Sequence, residues 1–306
     1  DQLPMSTAIA EPAPSRWRRA FAVPQAALSA GVLGVLCLAV ALAPLAALLL
    51  GADPHKVDLY QRLAPPSLHH PLGTDELGRD LLLRLLEGGR VSLLVGISAA
   101  LAAAGIGTAI GLVSGYRGGR IDAALMRLTD GVIALPLLPL LVVLAAIDLR
   151  KLGLPAWLVQ SEAASLYRIV VLVSLVGWTT VARLVRGATL SLRAQDFVRA
   201  ALALGAGPSR IMLVHILPNL ASPIIVAATL SVGQMILLES VLSFLGLGIE
   251  PPLPSWGNML TGAQETIGLA PQLALYPGLL IFVTVIACNF LGDALQEALD
   301  PRSQRR

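Results

Sequence analysis

Long blocks free of Asp, Glu, Lys and Arg dominate this chain. They cover residues 20–52, 91–116, 131–147, 211–238 and 266–292. A helix that crosses a bilayer needs about 20 mostly apolar residues, so each block predicts one span. A weaker block at 169–182 lies between Arg168 and Arg183. Both arginines sit at its ends, where a long side chain can reach the interface, so it predicts a sixth span. An even number places both termini on one side of the membrane.

Two stretches between the blocks are longer than simple connectors. One is 53–90; the other is 183–218, with five arginines and one acid. The predicted organisation is a tail over 1–23, a first span over 24–52, and an extracytoplasmic loop over 53–90 containing an amphipathic helix. A five-helix core follows over 91–296, including a cytoplasmic loop at 187–218, and then a tail over 297–306. The amphipathic helix is expected at 75–87, where leucines at 77, 81, 82, 85 and 86 alternate with charged residues at helical spacing.

Composition agrees with the patterning. Hydrophobic residues make up 56% of the 306 residues and charged residues only 13%, about half the share usual in soluble domains. A soluble globule could not hide that much apolar surface. Disordered chains, nucleic-acid binders and ordinary cytosolic enzymes are excluded, and lipid is the expected surround. Charge then orients the chain. With both termini, 116–131 and 183–218 inside, 14 of the 22 Lys and Arg residues face the cytoplasm and 8 face outward. The positive-inside rule favours this arrangement. Cys37 and Cys288 lie in apolar runs and are expected to be buried hydrophobes rather than a disulfide or metal pair.

The chain has two lysines, Lys56 and Lys151, preceded by His55 and Arg150. A phosphate-binding loop needs Gly-Lys-Ser/Thr, so ATP and Mg, if used, must bind to partner subunits. Zinc-protease and nucleophile-elbow signatures are also missing. His55, His69, His70 and Asp75 share one loop and could ligate a metal, but they are expected to be loop residues beside prolines. No catalytic residue and no metal site are predicted.

Residues 196–218 read as a helical hairpin. Ala and Leu between Val198 and Leu204 favour helix, Gly205 suits a left-handed stop, and Pro208 suits a first helical position. The second short helix is expected to end near Pro218. Ser222-Pro223 would then start the fifth span. By composition alone this could equally be an amphipathic hairpin resting on lipid.

Its spacing resembles the EAA loop of ABC importer permeases. Ala200-Ala201 is followed after three residues by Gly205, then after nine by His215, and by Leu217-Pro218. Arg199 stands where the family's acid does. His70-Pro-Leu-Gly-Thr-Asp-Glu-Leu-Gly-Arg-Asp80, Gly89-Arg90-Val-Ser-Leu-Leu-Val-Gly96, Gly115-Tyr-Arg-Gly-Gly-Arg-Ile-Asp122, Leu242-Ser-Phe-Leu-Gly-Leu-Gly248 and Pro254-Ser-Trp-Gly257 resemble the C-type permease of dipeptide/oligopeptide importers. Leu83 departs from that pattern, where serine is common.

The resemblance implies an all-α, six-span, type I ABC importer permease fold with cytoplasmic coupling helices. It also implies a second homologous permease, two ATP-binding subunits and an extracytoplasmic substrate-binding protein as partners. Coupling to the ATPases would fall to Arg199, Ala200, Ala201, Leu204, Gly205, Ala206, Ser209, Arg210, His215 and Pro218. Asp75, Glu76, Arg79 and Asp80 would either dock the binding protein or close the outer mouth. Glu239, the one acid deep in an apolar run, is expected either to hold neighbours by hydrogen bonds or to line the pathway. Pro136 and Pro139 are expected to kink the third span. Nickel-chelate or other small-solute import, or an ATP-independent channel or secondary transporter, remain alternatives.

Overall fold

A computed structural model describes residues 24–147 and 163–299. The tail 1–23 with Arg16, Arg18 and Arg19, the stretch 148–162, and the end of the C-terminal tail lie outside the described residues. Among the described residues the chain is all-α, and its only β pairing is one isolated bridge between Thr74 and Asp80. The helices are α1 (Pro24–Ala41), α2 (Ala43–Leu50), α3 (Leu81–Arg117), α4 (Gly119–Ala134), α5 (Leu137–Ala145), α6 (Ala164–Arg193), α7 (Asp196–Ala203), α8 (Pro208–Arg210), α9 (Ala221–Phe244), α10 (Trp256–Thr266) and α11 (Gln272–Leu299). Among the described residues, five helical segments are long and apolar enough to cross a membrane, and a bent pair can supply a sixth.

The bent pair replaces the kinked third span. α4 and α5 meet at 88°, because Leu135 precedes Pro136 and adopts an extended conformation with φ −76° and ψ 137°. Pro139 bends nothing. It falls in the first turn of α5, where its missing N–H would have had no intrahelical partner. The first span is also two helices, parted at Leu42 with Pro44 in the first turn of α2 and Gly51 closing it at φ +61°.

The weak sixth candidate proves to be the middle of a 30-residue helix, α6. Its flanking arginines are spent on named partners. Arg168 donates to Glu250 at 2.9 Å, and Arg183 donates to Asp130 at 2.5 Å.

α3 and α6 pack through a glycine stripe. A β-carbon on Gly107 would sit 2.6 Å from the Trp178 carbonyl oxygen, one on Gly111 2.5 Å from that of Ala182, and one on Gly115 2.7 Å from Thr189 Cβ. Hydrophobic driving force between helices is weak in lipid, so close backbone approach and dispersion carry the association. Val95, Ala99, Ala103, Val173 and Ala182 fill the buried centre. Leu81, Leu85, Ile236, Trp256 and Leu273 form a second core. Large apolar residues such as Leu28, Leu48 and Phe282 face outward, as a lipid-solvated bundle requires. Cys288 is buried as expected; Cys37 is exposed on α1.

Candidate functional site

At one end of the bundle, residues 75–80 form a tight turn, and the expected amphipathic helix does not start at Asp75. Helix α3 begins at Leu81, capped by the Asp80 carboxylate, which accepts the Leu83 N–H at 2.8 Å. It then runs unbroken to Arg117. Leu81, Leu83 and Leu85 are therefore core residues at the top of a spanning helix.

Asp75 accepts from its own turn, from the N–H groups of Leu77 and Arg79, and from the guanidinium groups of Arg79 at 2.8 Å and Arg84 at 3.2 Å. Asp80 also accepts from His70 Nδ1 at 2.9 Å, and His70 Nε2 contacts Gln61 at 2.8 Å. Asp75 and Asp80 are 4% and 2% exposed. They are turned inward, so of their two expected roles docking through these two carboxylates does not fit, whereas closing the end of the bundle does. Glu76 and Arg79 keep partial exposure.

Just beneath this turn lies Glu239, which is completely enclosed. It accepts hydrogen bonds from Ser92 at 3.1 Å, Ser243 at 2.7 Å and Ser240 at 3.4 Å. Ser92 Oγ accepts the Trp256 N–H at 3.1 Å, and Ser243 Oγ accepts that of Ile249 at 3.0 Å. The Trp256 indole donates to the Leu85 carbonyl at 2.9 Å. The carboxylate thus ties α3, α9 and the start of α10 into one knot. Gly257 permits it, since a β-carbon there would lie 2.5 Å from Ser240 Cα. Sequence motifs more than 160 residues apart converge on this carboxylate.

At the opposite end, α7 and α8 form the hairpin. Gly205 adopts φ +81°, and a β-carbon there would meet nothing within 4 Å; the N–H groups of Gly205 and Ala206 donate to Leu202 and Ala201 carbonyls at 2.9 and 3.0 Å. The second arm does not end at Pro218. It continues through a π-helical turn at Ile211–Ile216 and a 3-10 turn at Leu217–Leu220 into α9.

Proline explains the widened turn. Its ring clashes with the carbonyl four residues earlier, and a π-bulge relieves that by shifting to longer hydrogen bonds, here Leu217 N–H to Met212 O. The Asn219 amide donates to the His215 carbonyl at 2.7 Å. Ser222 and Pro223 consequently lie inside a continuous segment and cap nothing.

Val198, Ile211 and Ile216 face inward against Leu112, Val181 and Val185, and Ala201 is buried as well. Leu202, Leu204, Leu213 and Val214 face out at 50%, 88%, 59% and 58% exposure. Arg199, Ala200, Ser209, Arg210 and Pro218 are exposed, whereas Ala206 and His215 are half-buried. Both arms thus expose apolar side chains, and Arg199 and Arg210 are exposed on the same hairpin. Ala201, expected to make contact beside Ala200, points into the core.

The family model for binding-protein-dependent transport system inner membrane components matches residues 107–305. The chain belongs to that family. Three relatives extend the likeness. The chain is 39% identical to the glutathione transport system permease protein of Pectobacterium atrosepticum, over 94% of this chain and 90% of that one. It is 39% identical to the oligopeptide transport system permease protein of Bacillus subtilis over 79% and 74%. It is 41% identical to the dipeptide transport system permease protein of Alkalihalophilus pseudofirmus over 79% and 75%.

For an inner membrane component of this kind, the two ends differ in charge. Arg117, Arg120, Arg127, Arg186 and Arg193 gather with the hairpin arginines. There the Arg193 guanidinium donates to the Tyr116 carbonyl at 2.9 Å, and Arg186 grips both Asp122 oxygens at 2.6 Å. Asp122 also accepts from Ser114, so the Gly115–Asp122 motif locks α4 to α3 and α6. The other end holds Asp75, Glu76, Asp80, Glu87 and Glu250 together with Arg79, Arg84 and Arg168, so acids and bases are mixed there. Neither the Asp122–Arg186 lock nor the glycine stripe was foreseen. Glycines at 107, 111 and 115, four apart within an apolar block, were the readable signal for the stripe.

Proposed function

We propose that this chain is one transmembrane subunit of an ATP-driven importer of di- and oligopeptides, coupled to separate ATPase subunits through residues 196–218. The supporting observation is the hairpin. It is anchored on α3 and α6 by a buried face and offers exposed apolar side chains, with Arg199 and Arg210, to a partner. Membership of the family and kinship to dipeptide, oligopeptide and glutathione permeases support peptide cargo.

In this reading a second permease completes the pore, and the ATPase subunits hold ATP and Mg. An extracytoplasmic binding protein meets the end opposite the hairpin, where Glu76, Arg79 and the fully exposed Tyr60 and Leu68 remain accessible. Both termini and the hairpin are cytoplasmic. The ATPase subunits seat on Leu204, Leu213 and Val214, with Arg199 and Arg210 at the rim. Their movement is transmitted through the π-turn directly into α9, because no loop intervenes.

The test is uptake by proteoliposomes containing the full complex, with ATP inside or outside and loaded binding protein supplied. Uptake of a dipeptide that requires ATP on the hairpin side supports the reading. Uptake that proceeds without ATP, or without the ATPase subunits, overturns it.

A further inference from the structure

A cavity of about 190 Å³ opens beside the elbow between α4 and α5, bounded by that elbow, α6 and α9. Its wall joins apolar Val132, Leu135 and Leu238 to the neutral hydrogen-bonding side chains of Thr179, Thr180 and Gln234, and no charged residue lines it. Gln234 is the one primary amide in α9. Its side chain and that of Thr180 are exposed and make no hydrogen bond to any described residue.

An amide and a hydroxyl facing hydrocarbon would each carry a large desolvation penalty. Non-helical backbone at membrane depth, such as Leu135–Pro136, is likewise tolerated where it is covered by protein or borders a wet cavity. Three such features meet at one cavity.

Their chemistry selects a class of ligand. A primary amide offers two donors and an acceptor, and a hydroxyl offers one donor and two lone pairs. That set complements the N–H and C=O of a peptide bond and, being neutral, takes no account of side-chain charge. The cavity is smaller than the ~300–1,000 Å³ that encloses a drug-sized ligand, so it holds one segment of an extended chain. We propose that Gln234 and Thr180, beside the Leu135–Pro136 elbow, form a subsite that hydrogen-bonds the main-chain amides of a peptide in transit. This subsite rests on the peptide-importer reading.

The test uses the full complex in proteoliposomes, with ATP, binding protein and labelled trialanine. Gln234→Leu and Thr180→Val should lower uptake kcat/KM about 5- to 30-fold, the loss expected for an unmet buried hydrogen bond. Co-purification of all subunits should stay within about twofold. Gln234→Glu should restore trialanine uptake in part and introduce a charge preference, favouring Lys-containing over Glu-containing tripeptides by about tenfold. Normal uptake in Gln234→Leu overturns the subsite. So does loss of subunit co-purification in both Gln234 variants, which would make the residue a subunit contact. Failure of the wild-type complex to take up trialanine with ATP would overturn the importer reading itself, and the subsite with it.

Discussion

Gly205 separates conformation from packing at the hairpin. The residue holds φ +81°, and a β-carbon there would meet nothing within 4 Å, so any penalty of substitution is in the backbone. An L-residue in this region costs roughly 1–2 kcal/mol. Returning to negative φ avoids that penalty but turns the following N–H away and breaks the bond from Ala206 to Ala201, which contributes about 0.5–1.5 kcal/mol net.

The two routes cost about the same, so Gly205→Val should populate hairpins whose second arm is re-aimed relative to α7. Gly205→Asn, which tolerates left-handed backbone, should behave almost as wild type, with Ala intermediate. Gly187→Ala is the control. Gly187 lies inside α6 with open space around it, and alanine favours helix. Arg199→Ala should be mild, because Arg199 is 69% exposed and its contact with Asp196 is 3.8 Å long; such pairs contribute about 1 kcal/mol or less. The assay is ATP hydrolysis by the purified complex with and without loaded binding protein, alongside co-purification of the ATPase subunits. Gly205→Val should insert normally and lose stimulation. Full stimulation in that variant would refute the coupling role of the hairpin.

Glu239→Gln keeps an acceptor for the serine hydroxyls and should leave assembly near normal, whereas Glu239→Leu orphans Ser92 and Ser243 at about 1–3 kcal/mol each; thermal stability of the detergent-solubilised complex reads the difference, and an equally stable Leu variant would count against the knot. Gly111→Ala drives a β-carbon into the Ala182 carbonyl and should part α3 from α6, lowering the yield of folded protein, while Gly105→Ala, with nothing within 4 Å, should be neutral. Single cysteines in a variant lacking Cys37 and Cys288 should be labelled from outside at position 68 and only after permeabilisation at position 209; the reverse pattern would invert the orientation.

The all-α membrane class was legible in the chain itself, because hydrocarbon demands long charge-free blocks and a spanning helix meets all its backbone bonds internally. The left-handed Gly205 was legible for a similar local reason: glycine flanked by helix formers and followed by Pro208 admits few alternatives.

What the chain could not reveal depends on contacts distant in sequence. Leucine periodicity around 75–87 suggested an isolated amphipathic helix, yet Asp75 is drawn into its own turn by the Arg79 and Arg84 guanidinium groups, and the helix starts only at Leu81. Pro218 looked like a stop because local rules penalise the lost hydrogen bond; a π-turn and the Asn219 amide absorb that loss and fuse the hairpin to α9. Glu239 left two readings open in the sequence. The folded structure places serines 147 residues before it and four residues after it within hydrogen-bond reach, and leaves Gln234, five residues earlier on the same helix, facing a cavity instead. Periodicity fixes which residues share a helix face. Which face meets protein, cavity or lipid is settled only when the helices pack.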